Sequence, residues 1–460
     1  MGLGDGEVLM LGKVQCRRVA FTRRISSGTA RVSSVFLLGI ALIGCRHAPR
    51  EPVTLRYSYS WNEDRPQTRA LLQQFTQETG IRVKNIPVPE MTREYVELAR
   101  KLLGDSSGAD VLNIDLIWSP LLQADLLDLR PYLAPEISQL EPQLLPSYTV
   151  NGKLVAVPFN VPLGSLEYRT DLLRKYGYDH PPQTWDELEN MGARIQGGER
   201  AKGKKDFWGY VWQGAAAEAL TCNALEWQVG EGGGRIIEAD GTISVNNPSA
   251  IRSWQRAAHW VGWISPPSVL TYRELDSIDT FDAGNAAFNR VWGGTSITPR
   301  GLARQPRWRS VLPPTKTGYT NIPSGSQGWA ATLGGSGLAV SRRSIHPQEA
   351  IELVRFLLRA QIQSSEKEEI AGASQPEVYN RPSFLDPLQH SKQSNRREGG
   401  VVTRPSSVTG GTYERVTRAY IDAVHSVLTA QRDAPEAAAE LEKQLTIITG
   451  FRTGGPKLAH

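Results

Sequence analysis

Apolar positions along this chain follow two rhythms that alternate from segment to segment. Residues 53–59 (VTLRYSY) alternate apolar and polar, as a half-buried strand does. Residues 69–79 repeat with helical spacing and stop at Gly80; residues 81–86 return to the strand rhythm. Residues 94–103 predict a helix ended by Gly104. Residues 111–118 (VLNIDLIW) are apolar almost throughout, the pattern of a strand covered on both faces. A further helix is expected over 121–127. Strand, loop and helix in regular succession predict an α/β lobe.

The pattern continues beyond that lobe. Residues 154–162 predict a strand closed by Pro158 and Pro162, suited to a lobe-to-lobe connection, and 166–173 enter a helix. Thr184 with Glu187 three residues on marks a helix start. Residues 207–213 (FWGYVWQ) predict an aromatic strand, and Asp240-Gly241 a hairpin turn. Residues 230–234 are Gly-rich but lack the Lys-Ser/Thr of a phosphate loop. The helix expected over 248–263 carries Trp254, Trp260 and Trp263 as core residues. Residues 310–314 form a second strand-proline junction, 334–340 a strand, and 346–358, 413–428 and 435–445 helices; 386–400 is a polar loop. Residues 281–297 (FDAGNAAFNRVWGGTSI) read with helical spacing up to Trp292, then break at Gly293 and Gly294. An indole at such a break can lie against a flat ligand, with bare backbone amides beside it; the alternative is a core Trp before a turn.

The chain has 460 residues, 40% of them hydrophobic, enough for two lobes with separate cores. The net charge of +5 misleads: six cations against two acids lie within residues 1–44, and the remainder is nearly neutral. The basic balance therefore reports a leader and no nucleic-acid partner. The apolar run 35–43 has the length of a signal-peptide core and is too short to span a bilayer. It ends in Leu42-Ile43-Gly44-Cys45, which resembles the bacterial lipobox, so 1–44 is expected to be a lipoprotein signal peptide, Cys45 the lipidated residue and 45–52 a tether. An ordinary signal peptide with an incidental Cys is the alternative. Once Cys16 and Cys45 are set aside only Cys222 remains, so no disulfide is expected. Seven scattered His argue against a metal site or a His-based nucleophile; neither catalytic residues nor a cofactor are expected.

Acids at the carboxyl ends of the first-lobe strands are the candidate chemistry, because ligands bind there in α/β folds. Glu63 follows the first strand and Asp115 lies near the end of the third. Asp115 is flanked by apolar residues, so its carboxylate is either desolvated and paired or aimed into a cleft; a structural cap of the next helix is the alternative.

Several blocks in order carry a resemblance over residues 53–450. They are 110–118 (DVLNIDLIW), 168–173 (YRTDLL) with 182–188 (PQTWDEL), 211–214 (VWQG) with 223–227 (NALEW), 284–288 (GNAAF) with Trp292, 335–338 (GSGL), and Arg404-Pro405. Together, behind a lipobox, they resemble the extracellular solute-binding proteins of bacterial sugar-import ABC transporters, nearest the trehalose/maltose type. The resemblance implies an α/β, two-lobe periplasmic-binding-protein fold with hinge-connected lobes and a ligand cleft between them. It places crossings near 158–162, 308–313 and 365–376, with lobe 1 over 53–160 and 311–368 and lobe 2 over 161–310 and 369–460. It implies ligand contacts at Glu63, Arg93, Asp115, Asn160, Trp212, Gln213, Trp292, Gly293, Gly294 and Arg404. Pro162 stands where some trehalose/maltose binders carry an acid, which leaves the disaccharide open.

The implied function is capture of a sugar and its delivery to ABC permease subunits, by a monomer held on the membrane through its lipid anchor and facing the periplasm or the cell exterior. Two other classes share the same features: an exported carbohydrate-active hydrolase, and a sugar-sensing or adhesive lipoprotein without a transport role.

Overall fold

The computed structural model describes residues 52–59, 66–89, 92–106, 108–140, 142–292, 312, 316–370 and 400–457. Two sheets organise it. The first has the order β2 (Arg82–Ile86), β1 (Thr54–Ser58), β3 (Val111–Asp115), β12 (Ser336–Val340), β6 (Val157–Asn160). β1 runs parallel to β2 and β3, and β12 pairs antiparallel with β3 and β6. The alternating 53–59 pattern thus becomes an inner strand, with Leu55 and Tyr57 turned into the core. β3 is buried along almost its whole length, as its apolar run predicts. Leu116–Trp118 then turns into a short 3-10 helix instead of continuing the strand.

The second sheet has the order β10 (Thr317–Asn321), β7 (Gly164–Arg169), β9 (Ala286–Trp292), β8 (Trp208–Val211). β7 is antiparallel to both its neighbours, and β8 is parallel to β9. Two short pairs complete the strands: β4 (Thr149–Val150) with β5 (Lys153–Leu154), and β11 (Ala330–Thr332) with β13 (Gly400–Val402). Among the described residues no helix is long and apolar enough to cross a membrane.

Helix boundaries follow local chemistry. Thr184 Oγ1 accepts the Glu187 N–H at 3.2 Å, while the Glu187 carboxylate reaches back to the Gln183 N–H at 2.7 Å. Helix Trp185–Arg200 starts there. Asn247 caps helix Pro248–Trp260 in the same way. This helix stops before Trp263, which is 37% exposed, whereas Trp254 and Trp260 are fully buried.

Each sheet has its own apolar core. One gathers β1, β3, β6 and β12 with helix Pro347–Ile370; the other gathers β7, β8 and β9 with helices Trp185–Arg200, Glu218–Gly230, Tyr413–Leu428 and Ala434–Thr449. Tryptophans dominate the second. The Trp260 ring lies 5.2 Å from Trp185 and 5.5 Å from Trp227. The chain passes from the first core to the second between Leu163 and Leu166, and returns between Ala330 and Ala331.

Three further sequence expectations change. The 281–288 periodicity does not mark one helix: helix Glu274–Asp282 ends, Gly284 takes φ 80°, and β9 begins. β9 lies between two strands and is buried on both faces, so it has no period-2 signature. Residues 164–169 are likewise strand before helix Thr170–Lys175. A first-lobe boundary at 311 does not fit β10, which pairs with β7 in the second sheet. The 308–313 crossing and the 386–399 loop lie outside the described residues, apart from Leu312.

Candidate functional site

Asp115 ends β3, where its carboxylate is both paired and capping. Its Oδ1 accepts the Ile117 N–H at 3.1 Å, capping the following turn, and the same oxygen accepts Arg404 Nη2 at 3.1 Å. Arg404 is 3% exposed, and its Nη1 donates to Glu218 Oε1 at 3.1 Å. Glu218 opens helix Glu218–Gly230 and also accepts hydrogen bonds from the Tyr413 hydroxyl and, at 2.8 Å, from Thr417 Oγ1. One guanidinium therefore joins an acid of the first sheet to an acid on a helix of the second core. Burial opposes the Arg404 charge, but Asp115 and Glu218 outweigh it and hold the guanidinium protonated. Burial pushes the Glu218 carboxyl up, against the pull of Arg404 and the two hydroxyl donors. The buried Tyr148 phenol feels both Asp115 and Arg404, and neither its hydroxyl nor Arg404 Nε has a hydrogen-bond partner among the described residues.

Trp292 closes β9 and is partly exposed. The Arg290 guanidinium lies 4.0 Å from its ring centroid. Arg290 in turn grips Glu226, with Nη2 to Oε1 at 2.6 Å and Nε to Oε2 at 3.2 Å, and both side chains are fully buried. Trp292 and Asp115 flank one short segment. Gly334 lies against the indole, the Gly335 carbonyl accepts the Leu116 N–H at 3.1 Å, and Ser336 pairs with Asp115.

The structure thus brings together Asp115, Arg404 and the neighbourhood of Trp292. Trp212 and Gln213 are buried instead, a correction to the sequence reading. Trp212 is fully buried, edge-on to Trp227 at 5.0 Å, with its N–H donated to Ser265 Oγ at 3.0 Å. The Gln213 amide donates to Ser277 Oγ and the Arg290 carbonyl, and its oxygen accepts from Asn223. Both are committed to the interior, so neither presents a face to a solute. Arg93 lies in helix Thr92–Gly104 and Asn160 at the end of β6 opposite Ser336; their side chains lie outside the description. Glu63, Gly293, Gly294 and Cys45 lie outside the described residues.

Glu218, Glu226, Arg290 and Tyr148 were not singled out from the sequence. The one local signal was the four-residue spacing of Glu218, Cys222 and Glu226, which puts all three on one helix face.

Two α/β cores, joined by crossing strands and bridged by a charged cluster beside a partly exposed indole, define a two-lobed binding-protein fold. The model of bacterial extracellular solute-binding proteins matches residues 60–364, and the chain belongs to that family. A probable ABC transporter-binding protein of Deinococcus radiodurans is 38% identical over 382 residues, 82% of this chain and 89% of that protein. Maltose-bound MalE3 of T. maritima superposes with a TM-score of 0.71 at 29% identity, covering 86% of this chain and all of the other. A solute-binding protein of Thermotoga lettingae bound to α-D-tagatose gives a TM-score of 0.71 at 20% identity, again over 86% of this chain and 100% of the other, a likeness of fold alone.

Proposed function

We propose that this protein is the substrate-binding component of an ABC importer. It captures a sugar, a disaccharide such as trehalose or maltose, between the two cores and hands it unchanged to membrane permease subunits. The observation that carries the reading is Arg404, a buried guanidinium that joins Asp115 to Glu218 across the cores. Charge-assisted hydrogen bonds from such groups suit adjacent sugar hydroxyls, and an indole face suits the C–H face of a pyranose. A sugar that touches groups of both cores binds their closed arrangement better, and that difference drives closure. Maltose in MalE3 of T. maritima supports the ligand class. Glu63, Arg93, Asn160, Gly293 and Gly294 belong to the same proposed site on the resemblance alone. The protein acts as a monomer, exported and held to the membrane through lipidated Cys45.

Calorimetric titration of the purified protein with trehalose, maltose and monosaccharides tests the ligand class. Saturable binding to at least one sugar is expected; no heat and no thermal shift with any of them would overturn it. For the anchor, Cys45→Ser should move the protein from the membrane fraction to the soluble one, and unchanged retention would remove the lipid from the proposal.

A further inference from the structure

Two of the passages between the cores, near Leu163 and near Leu333, each carry a glycine beside a leucine. Leu163 and Leu333 face each other in an antiparallel bridge, and Gly164 and Gly334 follow them. A Cβ at Gly164 would stand 1.9 Å from Glu226 Oε1 and 2.7 Å from Arg290 Nη2. A Cβ at Gly334 would stand 2.6 Å from Trp292 Cζ3. Acid, arginine and indole are therefore packed directly against the backbone of both passages. Glu226 Oε1 also accepts the Thr332 N–H at 3.1 Å, two residues before Gly334.

Stability alone explains this unit poorly. A fully buried ion pair is often no more stabilising than apolar residues of the same volume. Geometry offers a better account. Glu226 grips two nitrogens of Arg290 and so fixes the plane of the guanidinium, whose Cζ lies over the indole, 4.0 Å from its centroid. A flat cation under an aromatic face restrains the ring's tilt.

We infer that Arg290 is a positioning residue for Trp292: held by Glu226, it sets the indole against the two inter-core passages so that the ring faces the ligand. The inference rests on the proposed sugar site for its ligand consequence, but not for the hold on the ring.

The test uses protein labelled with 5-fluorotryptophan, with the Trp292 fluorine resonance assigned by its loss in Trp292→Phe. The variant is Arg290→Met with Glu226→Gln, which removes both charges and leaves the Thr332 N–H an acceptor. Without any sugar, the Trp292 resonance should shift or broaden while that of Trp254 stays in place. A sugar that binds the parent protein should bind the variant about tenfold more weakly. If the double variant does not fold, Arg290→Lys keeps the charge, loses the planar fork, and should move the same resonance. A Trp292 resonance that stays in place overturns the inference, and so does an unchanged affinity in a variant whose parent binds sugar. If the parent binds no sugar, the proposed function fails, and the fluorine spectrum still decides whether Arg290 holds the ring.

Discussion

Arg290 and Arg404 are buried arginines held by carboxylates distant in sequence, and they differ in what surrounds those carboxylates. Arg290 and Glu226 are both fully enclosed. Arg404 is 3% exposed, but its partner Asp115 is 27% exposed and Glu218 13%. Each cluster leaves one guanidinium nitrogen without a hydrogen-bond partner among the described residues, Nη1 of Arg290 and Nε of Arg404, so the contrast lies in how far water reaches the carboxylates. An enclosed pair cannot exchange partners without opening the core. A pair at the edge of solvent can trade one hydrogen bond for another at small cost. The first arrangement suits a scaffold, and the second suits a site.

The largest expected effect breaks the contrast if it fails. Arg290→Met alone strands Glu226 in the core and should cost about 3–5 kcal/mol in urea unfolding. Arg404→Met should cost clearly less, because Asp115 can turn to water and Glu218 can take up a proton; equal losses would erase the distinction. Affinity sharpens the contrast from the other side. Arg404→Met should weaken sugar binding by about tenfold or more in calorimetry while the protein stays folded; unaltered affinity would make Arg404 a purely structural bridge.

The smallest effect is one of pH. The Glu218 carboxyl sits above its ordinary value of 4.5 in the folded protein, chiefly through burial. Its contribution to stability is fully present below about 4.5 and is lost as pH rises through the folded value. The wild type should therefore lose stability relative to Glu218→Gln as pH rises from about 4.5 through the raised folded value. Parallel unfolding curves of the two proteins across that range would contradict this sign.

The sequence made the first sheet legible because β1 has a core face and a drier-wetter alternation, and because β3 is a bare apolar run. β9 was not legible: a strand covered on both faces shows no alternation, and Phe281 and Phe288 fell by chance at helical spacing. Asp115 and Arg404 stood out through the resemblance, and the structure joins them across 289 positions. Glu218 and Glu226 did not. Their helix is buried nearly all round, so it shows no polar stripe, and their arginine partners lie 186 and 64 positions away. No local window contains such a pairing. Trp212 and Gln213 failed for the opposite reason. They follow the right strand end, but Trp212 joins the tryptophan core and Gln213 is buried beside it.

Cys222 lies on the helix face between Glu218 and Glu226, fully buried, with burial pushing its thiol up to about 12. At neutral pH it is neither ionised nor reachable by maleimides. Among the described residues it is the one cysteine, so new cysteines placed on the outer surface of each core would take up fluorescent dyes without competition from it. Energy transfer between two such dyes would turn the relative movement of the halves into a colour change, readable one molecule at a time.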